Sequence, residues 1–293
     1  MSKSILRVVF DTNAFAPGHF DVLERGPLPR LCKQGRIVPV FSHIFLEETL
    51  RAYGVEKRRK ELLERWLPFF GKIADRVCED FVVIWHRELV EGKGRKAKIF
   101  MRPRKQASML AGMTQMAANG TWHGWEDTKV ERDIDSAKSS EQHEAIVAMR
   151  NGVSDWRRSP EYIKPKAGDI PNLRAFTSLE LDKAGSDFVH ANLACRNPQE
   201  VFTRWSRDKE NYPYFTAFVK NMLFLAYLAM TNHNVKLDVN AQPDLDLMTH
   251  SLRADVVVSN ETGFLTAAFD ALWKPKGKVL LTSEQFGRLI DKL

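Results

Sequence analysis

The stretch that most constrains this chain is a short apolar run, Val8-Val9-Phe10, that stops on Asp11-Thr12-Asn13. With Ile5 and Leu6 it forms a nearly unbroken apolar segment, as expected of a central strand covered on both faces. Asp11 then stands at the strand's carboxyl end. In open α/β sheets ligands bind in the crevice beyond those ends, which makes the position a candidate for chemistry. A turn-opening role explains the same residue, because Asp and Asn start turns readily.

Several elements follow from pattern. Gly18 to Cys32 reads as a broken helical connection punctuated by Gly26, Pro27 and Pro29. Ile37 to Phe41 is a second strand whose Pro39 marks a place where one ladder hydrogen bond is spared. Ser42 is a candidate N-cap for the helix that follows. On that helix Glu48 falls within the arc of Ile44, Phe45 and Ala52, while Glu47 falls beside Arg51, where an i, i+4 ion pair accounts for it. A carboxylate on an apolar face is costly unless paired or bound to a cation, so Glu48 is the first choice and Glu47 the second. Glu56 to Arg76 reads as a charged helix interrupted at Pro68 and Gly71, and Phe81 to Trp85 as a third strand.

From residue 86 to residue 211 hydrophobic periodicity weakens and turn signals accumulate, which suggests an insertion between 1–85 and 212–293. Its opening stretch alone carries nearly all of the chain's formal net charge of +7. From Arg87 to Lys105 there are eight basic residues against Glu88 and Glu91. Lys93, Arg95, Lys96, Lys98, Arg102, Arg104 and Lys105 are therefore candidate phosphate contacts. Trp122, His123, Trp125, Trp156 with Arg157 and Arg158, and Trp205 between Arg204 and Arg207 interleave rings with charge. Such rings either stack on the bases of a single strand or pack a small core of the insertion.

Order returns with an apolar helix from Tyr214 to Met230, expected to lie against the sheet. Gln242-Pro243-Asp244-Leu245-Asp246 opens another helix. Asp244 borders its apolar side near Met248, whereas Asp246 projects toward His250 and Arg253 and is the second choice. At the first turn, Asp244 either offsets the helix dipole or faces the crevice. Val256-Val257-Val258 then repeats the opening pattern by ending on Ser259-Asn260-Glu261-Thr262. If these two strands are parallel neighbours, Asp11 and Glu261 meet at one sheet edge. Lys278 to Leu281 is the last strand and Glu284 to Leu293 a closing helix.

Cys32, Cys78 and Cys195 are widely spaced and form no CxxC, which argues against a zinc ribbon or a disulfide framework and suggests a reducing, cytoplasmic setting. The longest uninterrupted apolar run, Met222 to Met230, falls well short of the roughly 20 residues that a membrane span needs. A membrane partner is not expected. No pair among the eight histidines stands out as metal ligands.

Four blocks together resemble the PIN-domain nucleases: Val8 to Asn13, Ser42 to Glu48, the Asp244 helix, and Val257 to Phe264. The resemblance covers the two ends of the chain and not its middle. It implies a three-layer α/β/α PIN-like fold with a mainly parallel central sheet and a large insertion. It further implies that Asp11, Glu48, Asp244 and Glu261 hold Mg²⁺ or Mn²⁺ for phosphodiester hydrolysis. Such hard cations suit carboxylates, water and phosphate, and Thr12, Asn13, Ser42, Ser259 and Asn260 could orient water or phosphate. Glu261 stands where the family usually has aspartate, and the insertion is atypical of its small toxins. The implied activity is an endoribonuclease on single-stranded or loop RNA. Its role would be that of a toxin, a defence effector or an RNA-processing enzyme, with a protein inhibitor or partner subunit conceivable. The alternatives are a flap-type DNA nuclease and an inert PIN-like module that binds nucleic acid or protein.

Overall fold

The computed structural model describes residues 5–16, 18–53, 60–74, 76–119, 170–231 and 241–293. Contacts divide the chain into two compact units. The first comprises Met1–Asp80, Ile99–Arg132 and His250–Leu293, and the second Phe81–Lys98 and Asp133–Thr249.

The first unit is α/β. Strand β1 (Leu6–Phe10) is followed by a 3₁₀ turn (Thr12–Phe15), helices α1 (Phe20–Arg25) and α2 (Leu28–Lys33), strand β2 (Ile37–Phe41) and helix α3 (His43–Tyr53). A π-helical turn (Leu62–Trp66) runs into α4 (Leu67–Ile73), so Pro68 sits in that helix's first turn and does not break it. Strand β3 (Arg76–Val77) completes the amino-terminal half. From the carboxyl-terminal segment come a 3₁₀ turn (His250–Arg253), β4 (Val256–Val258) and the helix Phe264–Leu272, then β5 (Val279–Leu281) and the helix Ser283–Ile290.

All five strands are parallel, in the order β3-β2-β1-β4-β5. The chain moves outward from β1 in one direction through β2 and β3, and in the other through β4 and β5. The order therefore reverses at the β1/β4 pair, and the crevice outside their carboxyl ends is the favoured ligand position of such sheets. Val8 faces Val256, Val9 faces Val257 and Phe10 faces Val258, so Asp11 and Ser259 leave the sheet side by side. Pro39 stands one residue ahead of the two-residue ladder between β2 and β3.

Val8, Val9, Phe10, Val40 and Phe41 are fully buried, as two-sided strands require. Phe10, Phe15, Phe41, Phe45 and Phe70 form one aromatic cluster, with ring centroids 4.7 Å apart for Phe41 and Phe70 and 5.1 Å apart for Phe41 and Phe45. Burial of each such side chain stabilises by about 1.5–3 kcal/mol. Trp66 stacks on Phe20 at 4.9 Å, and Arg65 on the same turn pairs with Asp21 and Glu24 on α1. The antiparallel bridge of Cys78 with Phe100 places residues 99–101 along the edge beside β3. Helix α6 (Pro103–Asn119) follows from it.

The second unit is helical. Phe81–Trp85 is a helix (α5), not the strand that its composition suggested. Phe81, Ile84 and Trp85 are buried while Val82 is 59% exposed, which is helical spacing and not alternation. A five-residue apolar run fits either period, and here Trp85 packs on Phe188 and Phe218 of other helices. The apolar helix Pro213–Thr231 packs on Ile170–Asn192 and Ala241–Thr249 within its own unit. Trp205 on Pro198–Arg207 is fully buried, donates Nε1–H to Thr216 Oγ1 at 2.9 Å, and lies so close to Gly185 that a Cβ there would meet its ring at 2.2 Å. Trp205 is therefore a packing residue, closed to base stacking. Trp122, His123, Trp125, Trp156, Arg157 and Arg158 lie outside the described residues.

Candidate active site

The crevice at the ends of β1 and β4 is built by two loops tied to each other. Asp11 donates its backbone N–H to Val258 O at 2.9 Å, which carries the sheet ladder one residue beyond the strands. Its carboxyl is only 3% exposed. Ser259 Oγ donates to Asp11 Oδ2 at 2.6 Å. On the other side Thr12 Oγ1 donates to Glu48 Oε2 at 2.8 Å and stands 3.3 Å from Asp11 Oδ1. Glu48 is half-buried, and one hydroxyl stands between its carboxylate and that of Asp11. Ser42 accepts from Phe45 N at 2.9 Å and so caps α3, the helix that presents Glu48.

Proton counting makes this arrangement informative. Thr12 has one hydroxyl proton, and the shorter contact assigns it to Glu48. Asp11 Oδ1 then faces a hydroxyl lone pair, unless a proton or another cation comes between them. Burial holds the Asp11 carboxyl above the usual aspartate range and the neighbouring Glu261 charge raises it further, while the hydrogen bond from the Ser259 hydroxyl pulls it down.

Glu261 is half-buried. Its Oε1 accepts from Leu265 N at 3.1 Å and so serves the start of the helix Phe264–Leu272. Its backbone N–H donates to Ser259 Oγ at 3.1 Å. It thus contributes charge to Asp11 while one of its oxygens is occupied.

Behind the carboxylates lies a polar lattice. Asn13 Oδ1 accepts from Asn260 N at 2.8 Å, and Asn260 Nδ2 donates to Asn13 O at 3.1 Å and to Ser283 Oγ at 2.8 Å. Ser283 donates its N–H to Asn260 Oδ1 at 3.0 Å and its hydroxyl to Ala14 O at 2.9 Å. Ser283 is fully buried and was not singled out from sequence; the Thr282-to-Gln285 capping box around it looks like an ordinary helix start. It locks the loop after β5 to those after β1 and β4.

The remaining candidates fare differently. Asp244 and Asp246 sit on Ala241–Thr249 in the second unit, and both are half-buried, so burial does not separate them as the helical wheel did. That helix is held by Asn221 Nδ2, which donates to Leu245 O at 2.9 Å and Thr249 Oγ1 at 2.7 Å. The side chain of Glu47 lies outside the described residues. Among the seven basic candidates, Lys93 pairs with Glu91, Arg95 with Glu210, and Lys105 with the buried Glu79. Lys96, Lys98, Arg102 and Arg104 are exposed.

Among the described residues, no three of His, Cys, Asp and Glu converge into a metal-holding group. The donor chemistry of Asp11 and Glu48 nonetheless suits a hard divalent cation, which is commonly bound by one or two carboxylates with water and substrate phosphate making up the rest. The Asp11 oxygen that faces the Thr12 lone pair is where such a charge is wanted. No protein-family model matches the chain, and neither a curated protein nor a solved structure matches it significantly. Among the described residues, no helix is long and apolar enough to cross a membrane.

Proposed function

We propose that the chain is a PIN-like, metal-dependent phosphodiesterase, an endoribonuclease acting on single-stranded or loop RNA. The observation that carries this reading is Asp11: a carboxyl buried at the topological switch point, beside a second carboxylate across Thr12 and within the field of a third. Clustered carboxylates destabilise a fold unless a cation joins them, and such arrangements concentrate at functional sites. Asp11 and Glu48 would hold Mg²⁺ or Mn²⁺, with Glu261 adding charge. The bound ion would supply Lewis-acid polarisation of a phosphoryl oxygen and a lowered pKa for the attacking water.

The chain's own residues do the rest. Ser259 and Thr12 fix the two faces of the Asp11 carboxyl, and the Asn13–Asn260–Ser283 lattice keeps the loops that carry them from spreading. Orientation of this kind prepares a site before substrate arrives. Asp244 extends the proposed ligand set by family resemblance alone.

One observation favours a second reading. Glu261 spends Oε1 on the start of a helix, which suits a PIN-like module that binds nucleic acid or protein without cutting. Incubation of the purified chain with labelled single-stranded RNA and DNA, in Mg²⁺, Mn²⁺ or EDTA, separates the cases. RNA cleavage that needs the metal and is lost in Asp11→Asn supports the proposal. Cleavage of DNA alone favours the flap-type alternative, and no cleavage under any condition favours the inert module.

A further inference from the structure

The basic run from Lys93 to Lys105 has a division of labour that its composition conceals. Lys93 and Glu91 neutralise each other at the surface, and the Lys93 hydrogen bond holds the Glu91 carboxyl below its ordinary range. Arg95 donates Nε to Glu210 O at 2.7 Å and Nη2 to Glu210 Oε2 at 3.2 Å. Lys105 compensates Glu79, a carboxylate buried almost completely, which would be costly to leave unpaired. Three of the seven cations are thus already partnered within the protein.

Arg102 and Arg104 are not. Both are exposed, and neither makes an ion pair or side-chain hydrogen bond among the described residues. Together with Lys105, Ser108 and Met109 they line an open groove along the first two turns of α6, where the first turn holds no acidic residue.

The groove is firmly mounted. Glu79 N donates to Ile99 O and Met101 N to Val77 O, each at 2.8 Å, which joins the strand-edge segment to the residues just before the groove. Gln106 then clamps α6 to the same edge: its Oε1 accepts from Val77 N at 3.1 Å and its Nε2 donates to Ala74 O at 3.0 Å. Two guanidinium groups are therefore displayed from a fixed backbone, and among the described residues no carboxylate pairs with them.

We propose that Arg102 and Arg104 form a strand-binding groove for the phosphodiester backbone of single-stranded RNA, in which Lys105 stands at the wall with its charge committed to Glu79 and Lys93 and Arg95 take no part. Guanidinium forks match phosphate oxygens in a bidentate manner, which an ammonium cannot do. The Ser108 hydroxyl offers a further donor, and the Met109 thioether gives an apolar floor for a ribose or base face. The choice of RNA over an acidic peptide rests on the nuclease reading of the same unit.

The test is the fluorescence anisotropy of a 5′-labelled single-stranded oligoribonucleotide, titrated in EDTA over a series of salt concentrations so that no cleavage intervenes. Arg102→Gln/Arg104→Gln should weaken binding and reduce the slope of log affinity against log salt by about 1.4, at roughly 0.7 per lost phosphate contact on a single strand. Lys93→Gln/Arg95→Gln should leave the slope unchanged. Equal loss in both double variants, an unaltered slope in the arginine variant, or no RNA binding by the wild-type chain overturns the proposal. So does displacement of the RNA by a poly-glutamate peptide at equal charge concentration, which would assign the groove to an acidic protein. Cleavage is read separately with Mg²⁺ or Mn²⁺, so a failure of the nuclease reading appears there and not in this metal-free assay.

Discussion

Two buried carboxylates, one in each unit, are stabilised by opposite means. Glu88 in the helical unit is 1% exposed, and its two oxygens accept from Tyr214 N at 3.1 Å and Phe215 N at 3.0 Å. Those N–H groups open the helix Pro213–Thr231 and have no intrahelical partner, so the negative charge meets donors and the positive end of the dipole together. Asp11 in the α/β unit is equally buried, but it is held by side-chain hydroxyls, shares one of them with Glu48 and feels Glu261. The first arrangement satisfies a charge permanently. The second leaves a charge in want of a cation, and that difference separates a structural carboxylate from a functional candidate.

The sharpest way to break this contrast is to delete the satisfied carboxylate. Glu88→Ala strands two buried N–H groups, each worth about 1–3 kcal/mol, and should destabilise the chain by about 2–6 kcal/mol in a chemical denaturation curve. A loss below 1 kcal/mol would mean that the cap is not structural.

Titration provides a second lever within the α/β unit, where His250 is fully buried and burial, aided by the charge of His43, pushes its pKa down to about 3. Folding keeps His250 neutral while the unfolded chain protonates near 6.5, so its contribution is intact above that pH. It is lost as pH falls from 6.5 toward 3, by at most about 1.4 kcal/mol per pH unit. Asp11 runs the other way: its raised pKa means that the folded state gains stability as pH falls through it. Melting temperatures between pH 6.5 and 4 should decline less in His250→Gln than in the wild type. An identical decline would remove His250 from the account.

Smaller effects test the lattice behind Asp11. Ser283→Ala removes the donor to Ala14 O and the acceptor for Asn260, for a loss of about 1–3 kcal/mol with a fall in cleavage rate larger than any change in RNA affinity. Equal loss of rate and affinity would indicate plain unfolding. The mildest change is Glu261→Asp, which should shift the Mg²⁺ or Mn²⁺ preference and preserve cleavage, whereas Glu261→Ala should reduce cleavage strongly. Wild-type rates in Glu261→Ala would confine this residue to its helix-capping bond.

The elements that place the crevice were legible because each rests on local chemistry. Val8 to Phe10 and Val256 to Val258 are apolar runs of strand length that end on polar loops, and Ser42 is a standard cap. What stayed hidden depends on distant partners. Phe81 to Trp85 becomes helical in the company of Phe188 and Phe218, more than a hundred residues away. Glu88 reads as one charge among many in a solvated stretch until the helix start at Tyr214 and Phe215 turns it into a cap. Lys105 looks like part of a phosphate-binding run because nothing nearby in sequence announces that Glu79 is buried against it. Ser283 is similar, since its partners Ala14 and Asn260 come from loops that meet only in the sheet.

The most direct measurement on Asp11 is a pair of readings on Asp11→Asn: the melting temperature without divalent cation, and the rate of single-stranded RNA cleavage with Mg²⁺. Asparagine keeps the shape and an oxygen for Ser259 while removing the charge that burial and Glu261 disfavour. The account predicts a melting temperature above that of the wild type near neutral pH, together with loss of cleavage by at least about two orders of magnitude, comparable to removal of a key electrostatic group in other active sites. A variant that melts lower than the wild type and still cleaves RNA at its rate would contradict it.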